Sequence, residues 1–142
     1  MYEAMHSHHA TSDVCIFAAA VADYRPATIS DKKIKKKADD MAIPLERTVD
    51  IAATLGAVKS AHQIHVGFAL ETNDEMKHAE GKLTRKNFDM VVLNSLRDKG
   101  AGFQGDTNKV TILKHKAEPI QYPLKSKRLV AVDIVDQLVN FL

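Results

Sequence analysis

The sequence has little of what marks a secreted, membrane-bound or nucleic-acid-binding protein. Its one cysteine, Cys15, leaves no internal disulfide, which fits a reducing cytoplasm. No apolar run approaches the roughly 18 residues of a membrane span, and no N-terminal stretch has the order of a signal peptide. The 20 basic and 18 acidic residues give a net charge of +2, too balanced for a general attraction to nucleic acid. We therefore expect a cytoplasmic protein with neither a nucleic-acid nor a membrane partner.

Two common nucleotide-binding signatures are also absent. The glycines between Gly100 and Gly105 are not followed by a helix with a GK[ST] ending, so they do not form a common P-loop. The GxGxxG turn of dinucleotide-dependent enzymes does not occur either. With 142 residues, 45% of them hydrophobic, the chain is still long enough for a real core. We expect residues 1–142 to form a single domain.

Apolar runs and helical spacings alternate along the first two-thirds of the chain. Strands are predicted at 14–21, 65–70 and 90–93. The first run is continuously apolar, which is typical of a strand buried on both faces, although its alanines leave a buried helix open. Helices are predicted at 2–9, at 50–61 and from a Thr72–Glu75 capping box to about Arg85. This order predicts an α/β fold with a mostly parallel sheet.

The last third of the chain changes character. Residues 95–108 contain three glycines and no periodicity, which indicates a loop. Residues 109–114 and 119–124 predict a pair of more exposed antiparallel strands, and 128–142 predicts a closing helix. Two helices carry apolar stripes that we expect to face the core: Ile51, Leu55 and Val58 in one, and Val135, Leu138, Val139 and Leu142 in the other. Together these elements predict a Rossmann-like three-layer fold with a small antiparallel extension.

The start of the chain is unusual for such a fold. A parallel α/β nucleotide binder usually opens with a strand and a glycine-rich turn onto a helix, whereas this chain opens with a short helix. We therefore expect a first βαβ portion to be absent from these residues.

Four segments after predicted strands or at helix starts carry candidate binding residues, and each has a plainer alternative. Asp23 offers a carboxylate for magnesium, a ribose hydroxyl or acid–base chemistry, or is a turn residue. The lysines at 32–37 form either a mobile loop over a triphosphate or a solvated charged segment. Phe68 is ordinarily a core residue, and the neighbouring Gly67 would allow a ligand close to the backbone. Lys82 and Lys86 share a helix face and either flank an anion or are simply solvated.

Histidine and cysteine give weaker signals. His6, His8 and His9 lack a second ligand cluster in the sequence, which argues against a metal site. Cys15 lies inside an apolar run with no charged neighbour to lower its pKa, which indicates core packing and not a nucleophile.

Six segments in order carry a family resemblance. They are AAAVADYRP (18–26), KIKK (33–36), GFALETN (67–73), KLTRKNFDMVVLN (82–94), GAGFQGDTNKVTIL (100–113) and PLKSKR (123–128). Their order and spacing are similar to the phosphopantothenoylcysteine synthetase family, the synthetase half of a bacterial bifunctional flavoprotein that also contains a decarboxylase. The resemblance covers nearly the whole chain.

The resemblance implies a CTP-dependent ligation in coenzyme A biosynthesis. CTP would activate the carboxylate of 4′-phosphopantothenate as an acyl-cytidylate, and the amine of cysteine would then displace CMP. Joining two anions requires charge neutralisation by lysines and Mg²⁺. The family also implies a homodimer and a fused decarboxylase domain. The flavin and the catalytic cysteine belong to that other domain, so no FMN is expected here.

Site residues follow from the resemblance position by position. Asp23 is implied to be a nucleotide-site residue near the metal, and Lys33 a catalytic, phosphate-contacting residue on a closing loop. The nucleotide site would further include Phe68, Lys82, Lys86 and the segment Thr48-Val49-Asp50-Ile51, which aligns with the family's NPDI only in its DI half. The family's glycine-rich opening and SNxSSG segment are absent from the sequence. The chain should therefore hold half a site and be inactive alone.

Two other classes of function stay open from the residues themselves. One is a module that binds nucleotide without catalysis. The other is a dinucleotide-dependent oxidoreductase on a similar sheet, which the absent GxGxxG turn disfavours.

Overall fold

The computed structural model describes residues 1–34, 41–71, 73–95 and 105–142. These residues form two compact units. The larger unit comprises Met1–Ala18 and Ile51–Leu142, and the smaller unit, called the arm below, is Ala19–Asp50. The expectation of a single domain over 1–142 stays a prediction.

Four helices and nine strands are found among the described residues. In chain order they are α1 Tyr2–His9, β1 Val14–Phe17, β2 Tyr24–Pro26, β3 Leu45–Arg47, α2 Ile51–Ala57, β4 Ile64–Glu71, α3 Glu75–Arg85, β5 Met90–Ser95, β6 Thr107–Asn108, β7 Val110–Lys114, β8 Ile120–Gln121, β9 Lys125–Ser126 and α4 Lys127–Val139.

The larger unit is built on one five-stranded sheet with the order β1-β4-β5-β7-β8. β1, β4 and β5 run parallel, whereas β7 and β8 are antiparallel to their neighbours. Parallel neighbours need a long crossover connection, and α3 supplies it between β4 and β5. A separate short ladder joins β6 to β9. This confirms the predicted α/β fold with a mostly parallel sheet and an antiparallel extension.

Apolar side chains cover both faces of this sheet. On β5, Met90 and Val92 point to one face and pack with Val130, Ile134 and Leu138 of α4. Val91 and Leu93 point to the other face and pack with Ala79 and Leu83 of α3. The alternation follows from the two-residue period of a strand. With a helix on each face, the unit has the three layers that the sequence predicts.

Gly67 sits in the middle of β4 and has a packing role. A Cβ atom built there would lie 2.2 Å from the ring of Phe88, with two further ring atoms within 3.0 Å. Phe88 is 3% exposed and belongs to the core on the α3 side. The expectation that Gly67 leaves room for a ligand is therefore wrong, because the ring of Phe88 fills that room.

The first strand differs from the prediction of 14–21. β1 ends at Phe17, and its Ile16 is 48% exposed, so the strand is not buried on both faces. In the described part of the chain β1 pairs with β4 alone and forms an edge of the sheet. An edge strand has a neighbouring strand on one side only, so fewer residues cover its side chains. A continuous apolar run in the sequence does not distinguish an edge strand from a central one.

Both predicted helix stripes need correction. α2 ends at Ala57, and although Ile51 and Leu55 are buried, Val58 lies beyond the helix and is 60% exposed. In α4 the buried residues are Val130, Ile134 and Leu138. Val135, Val139 and Leu142 are exposed, so only Leu138 of the predicted stripe faces the core. α4 is apolar on more than one side, and its sequence therefore does not choose the face.

Three further expectations have mixed outcomes. α3 ends at Arg85 as predicted, but its N-cap is Asp74, so Glu75 opens the helix and the Thr72 capping box is wrong. β7 and β8 pair as predicted, yet β7 is largely buried. Most of the glycine loop, 96–104, lies outside the described residues.

The arm is held by a two-stranded antiparallel ladder that the sequence did not predict. β2 pairs with β3 in the register Tyr24 with Arg47, and all six strand residues are exposed. An ion pair joins Arg25 Nε of β2 to Glu46 Oε1 of β3 at 2.7 Å. No helix in the described parts of either unit has the length and apolar character required to cross a bilayer.

Candidate functional site

The parallel strands of the larger unit define the edge of the sheet where a ligand site is expected. β1 ends at Phe17, β4 at Glu71 and β5 at Ser95, and all three point the same way. In open α/β sheets, ligands bind beyond the carboxyl ends of the strands, since the loops and helix starts gather there. We call this side the carboxyl edge.

An ion cluster around Glu71 dominates the carboxyl edge. Its Oε1 accepts from Lys82 Nζ of α3 at 2.6 Å, and its Oε2 lies 3.3 Å from His78 Nδ1. Burial alone would raise the pKa of Glu71, but the hydrogen bonds and charges of Lys82 and then His78 hold it below its ordinary value. The carboxylate therefore stays ionised and fixes the ammonium of Lys82 at the end of β4.

Lys86 lies one turn beyond Lys82 but outside the helix. It is the C-cap residue of α3, with a backbone φ of −101°, and its N–H donates to the carbonyl of Lys82. The sequence predicted two lysines that repel each other or flank an anion. In the described structure Lys82 already has an anion, the Glu71 carboxylate, so it is not a solvated lysine.

Phe68 and Asn94 share the face of the sheet on which α4 packs. Phe68 is partly buried against that core cluster, and its register partner is Val92. Asn94 lies two residues further along β5, opposite Leu70. Its Oδ1 atom is buried and has no hydrogen-bond partner among the described residues. A buried amide oxygen without a partner is costly, so Asn94 is a candidate ligand contact.

Sequence reasoning singled out Phe68 but missed Glu71 and Asn94. Both lie inside segments that carry the family resemblance, 67–73 and 82–94, but the resemblance as stated implies no role for either. A signal was available for both, because each is a polar residue at the end of an otherwise apolar run whose strand points at the carboxyl edge.

The arm carries most of the other residues implied by the resemblance. The ladder brings Asp23 and Thr48 together: the Thr48 N–H donates to the Asp23 carbonyl at 2.9 Å, and Thr48 Oγ1 donates to the carbonyl of Ala22. Asp23, Lys33, Val49 and Asp50 are exposed. Two segments far apart in sequence, ADY and TVD, are thus neighbours within the arm.

Some implied residues are placed differently or not described. Ile51 opens α2 in the larger unit and is 7% exposed, so a ligand would reach its backbone and not its side chain. The remaining lysines of the cluster, Lys35, Lys36 and Lys37, lie outside the described residues. The same holds for Thr72 and for the glycines of 100–104.

Comparisons with known proteins agree on the family and on the fold. The family model for the DNA/pantothenate metabolism flavoprotein C-terminal domain matches residues 1–142. A coenzyme A biosynthesis bifunctional protein CoaBC from Bacillus subtilis strain 168 is 44% identical over 138 residues, which are 97% of this chain and 34% of that protein. A cysteine/cysteine sulfinic acid decarboxylase from an unknown prokaryotic organism is 52% identical over 128 residues, which are 90% of this chain and 36% of that protein.

The C-terminal domain of a CoaBC protein has a crystal structure that matches this one. The TM-score is 0.76 at 39% identity, and the match covers 96% of this chain and 58% of that one. This chain therefore spans about a third of the curated relatives' length and over half of the solved domain. On the family model and the relatives together, the chain belongs to the family of DNA/pantothenate metabolism flavoprotein C-terminal domains.

Proposed function

We propose that this chain is the nucleotide-handling part of a phosphopantothenate–cysteine ligase of coenzyme A biosynthesis. The observation that carries the proposal is the Lys82–Glu71 pair at the carboxyl edge, in a chain whose whole length matches the family. A lysine held at the end of a parallel strand is positioned to meet a phosphate, because that edge is where α/β sheets bind nucleotides. The relatives named as CoaBC proteins support the pathway.

The proposed reaction has two steps. The carboxylate of 4′-phosphopantothenate attacks the α-phosphorus of CTP, which forms an acyl-cytidylate and releases pyrophosphate. The amine of cysteine then attacks the acyl carbon, an amide bond forms, and CMP leaves with the bonding electrons. The protein's task in the first step is to hold two anions together, which lysine side chains do by neutralising charge.

We assign the lysines distinct tasks in this proposal. Lys82, and Lys86 one turn later, bind the triphosphate, while Glu71 orients the ammonium of Lys82 toward it. A phosphate that approaches Lys82 competes with the Glu71 carboxylate, which is already paired with its ammonium. Glu71 therefore also lowers the affinity of the site for other anions. Lys33, an exposed residue of the arm, is the proposed catalytic lysine.

The arm also fits a magnesium ion. Asp23 is exposed and offers hard carboxylate oxygens, and Mg²⁺ is commonly bound by one or two carboxylates together with substrate phosphates. Bound magnesium would neutralise triphosphate charge. Thr48, Val49, Asp50 and Ile51, which follow the same ladder, are the proposed contacts to the nucleotide. A homodimer and a fused decarboxylase domain belong to the same proposal.

Binding titrations separate this function from its rivals. CTP, ATP and NAD⁺ are titrated against the 142-residue chain by calorimetry in the presence of Mg²⁺. A ligase of this kind binds CTP in preference to NAD⁺, whereas preference for NAD⁺ would favour an oxidoreductase. Pyrophosphate release from CTP and 4′-phosphopantothenate is then measured. We expect no appreciable turnover, because the SNxSSG segment is absent, and turnover near that of a full-length ligase would contradict the half-site hypothesis.

A matched pair of lysine variants tests the site itself. Lys82→Met should weaken CTP binding, and the loss should shrink as salt rises, because salt screens exposed charges. Lys116→Met is the control, since Lys116 is exposed in the turn between β7 and β8, at the opposite end of the sheet from the carboxyl edge. Equal CTP affinity in both variants would remove α3 from the site.

Lys33→Gln, tested in a chain extended to a complete synthetase, should slow pyrophosphate release by about a hundredfold or more with the fold intact.

A further inference from the structure

A second group of reactive side chains lies at the opposite end of the strands from the carboxyl edge. His9 is the last residue of α1, Cys15 is the second residue of β1, and His65 is the second residue of β4. Cys15 and His65 are register partners on adjacent parallel strands, so their side chains stand next to each other. We call these three residues the amino-end cluster.

The amino-end cluster is compact and enclosed. One ligand atom from each residue, a ring nitrogen or the sulfur, lies within 4.8 Å of the other two. The residues are 5%, 8% and 0% exposed for His9, Cys15 and His65. Three groups that bind transition metals well are thus brought together with solvent excluded, from segments up to 56 residues apart.

The hydrogen bonds of the cluster leave one ring nitrogen of His65 without a partner among the described residues. Nε2 of His9 and Nε2 of His65 lie 3.0 Å apart, so one proton serves both nitrogens. Nδ1 of His65 is buried and has no hydrogen-bond partner among the described residues. Whichever tautomer His65 adopts, Nδ1 is a buried donor or acceptor that the described residues leave unsatisfied. Buried polar atoms of this kind call for a further ligand.

The surroundings hold the three side chains in place. The side-chain amide of Gln63 donates to the carbonyls of His9 and Ser12, which fixes the end of α1. The backbone N–H of His65 donates to Asp89 Oδ2 at 2.7 Å, and Asp89 is also ion-paired to Lys59. A site whose ligands are already anchored loses little conformational entropy when an ion binds.

The charge nearest the cluster is compensated. The Lys59 ammonium lies 2.7 Å from Asp89 Oδ2, and the same carboxylate oxygen accepts from the His65 N–H. The paired ammonium therefore does not repel a cation strongly.

We propose that His9, Cys15 and His65 bind one zinc-class divalent metal ion through a ring nitrogen of each histidine and the cysteine thiolate. Imidazole nitrogen and cysteine thiolate are preferred ligands of zinc in proteins, and a water molecule would complete the four-coordinate site. Bond lengths of about 2.0–2.3 Å place the ligand atoms roughly 3.3–3.6 Å apart, so the observed spacing requires shifts of about one ångström. The ion would tie α1 to β1 and β4, and its role would be structural, since it lies away from the carboxyl edge.

Cobalt spectroscopy on the tag-free chain, stripped with a chelator, tests the proposal. Co²⁺ should bind at one equivalent and give both a thiolate-to-cobalt charge-transfer band and the visible bands of a tetrahedral site. Zn²⁺ should displace it, raise the thermal midpoint by several degrees and protect Cys15 from alkylation. Binding without the thiolate band, or no binding at micromolar Co²⁺, would overturn the proposal on the unmodified protein.

Variants then locate the site. Cys15→Ser should remove the charge-transfer band and weaken Zn²⁺ binding by at least about a hundredfold, since loss of a group that only hydrogen-bonds a metal ligand already costs about 10–100-fold. His9→Gln should weaken it similarly. The matched control is a His6→Gln, His8→Gln double variant, because both residues are exposed on the same helix as His9. Loss of binding in that control, with Cys15→Ser unaffected, would assign the ion to surface histidines and sink the proposal.

Discussion

The larger unit and the arm differ in how far their strands are buried. In the larger unit the central strands β4 and β5 are almost wholly buried, and the helices α3 and α4 close the two faces of the sheet. In the arm both strands are exposed along their whole length, and a single ladder with one ion pair connects them. The free energy of folding of the described residues therefore comes mainly from the larger unit.

This difference separates the residues that hold the fold from those proposed to do chemistry. Gly67, Phe88 and Asp89 belong to the first group, because each makes buried contacts. Asp23 and Lys33 belong to the second group and are exposed. Substitution of buried residues in the larger unit should change stability first, whereas substitution of Asp23 or Lys33 should change function with little effect on stability. Matched variants in each unit can test that division.

The largest effect is expected from one methyl group on β4. Gly67→Ala places a Cβ 2.2 Å from the Phe88 ring, and that ring is enclosed by core side chains. Overpacking of this kind typically costs up to about 3 kcal/mol, and we expect a value near that limit. Gly81→Ala on α3 is the matched control, since a Cβ atom at that position would have no neighbour within 4 Å and alanine favours the helix. The control should gain about 0.5–1 kcal/mol in urea unfolding.

Equal effects of the two alanine substitutions would contradict the division between buried residues that stabilise the fold and exposed residues proposed to act in function. Such a result would mean that Phe88 can move aside without cost, and that β4 is not as tightly packed as its buried residues indicate.

The second effect concerns the buried ion pair between Lys59 and Asp89, which also bonds the backbone of β4 at His65. Both carboxylate oxygens of Asp89 lie 2.7 Å from Lys59 Nζ, and Oδ2 also accepts from the His65 N–H. Lys59 is 9% exposed, so its ammonium depends on that carboxylate. Asp89→Asn should cost about 2 kcal/mol, because hydrogen bonds to charged groups are worth about 1.5–3 kcal/mol. A double-mutant cycle with Lys59→Met should give a coupling energy of at least about 1 kcal/mol, and additive effects would contradict the pairing.

The sequence predicted the central sheet well because its signals there are strong and local. The runs that form β4 and β5 are short and apolar. Their length suits a strand and is too short for a typical buried helix. The end of α3 and the β7–β8 pair follow from similar local patterns. The family resemblance added the order of these elements and the expectation of a binding edge.

The rest depends on contacts that no local pattern encodes. The buried face of α4 is set by Val130, Ile134 and Leu138, yet exposed valines surround them in the sequence. The purpose of Gly67 depends on Phe88, and the partner of Lys82 is Glu71, eleven positions before it in the chain. The second ligand cluster that His9 lacked in the sequence is formed by Cys15 and His65, and β1–β4 pairing is what brings them together.

The third effect is smaller and depends on pH. The folded-state pKa of Glu71 is lowered, so its ion pair with Lys82 stabilises the fold above the unfolded pKa, near about 4.3. That stability is lost as pH falls through the folded value. Glu71→Gln should therefore cost about 1 kcal/mol at pH 7, and the difference from the parent chain should shrink as pH falls through the lowered folded-state pKa and vanish below it. Glu80→Gln is the control, because Glu80 is exposed on α3, and an equal pH dependence there would contradict a special role for Glu71.

The smallest effect is expected in the arm, from the ion pair between its two strands. The side chains of Arg25 and Glu46 are 69% and 46% exposed, and exposed pairs of this kind contribute about 0–1 kcal/mol. Arg25→Gln and Glu46→Gln should each change the free energy of unfolding by less than about 0.5 kcal/mol, with a coupling energy of similar size. Amide exchange at Thr48, whose N–H is bonded to the Asp23 carbonyl, should quicken slightly, since the ladder opens more often. A global loss above about 1 kcal/mol in either variant would show that the arm supports the fold. Rates measured for Lys33 or Asp23 variants would then need correction for stability before they could be assigned to chemistry.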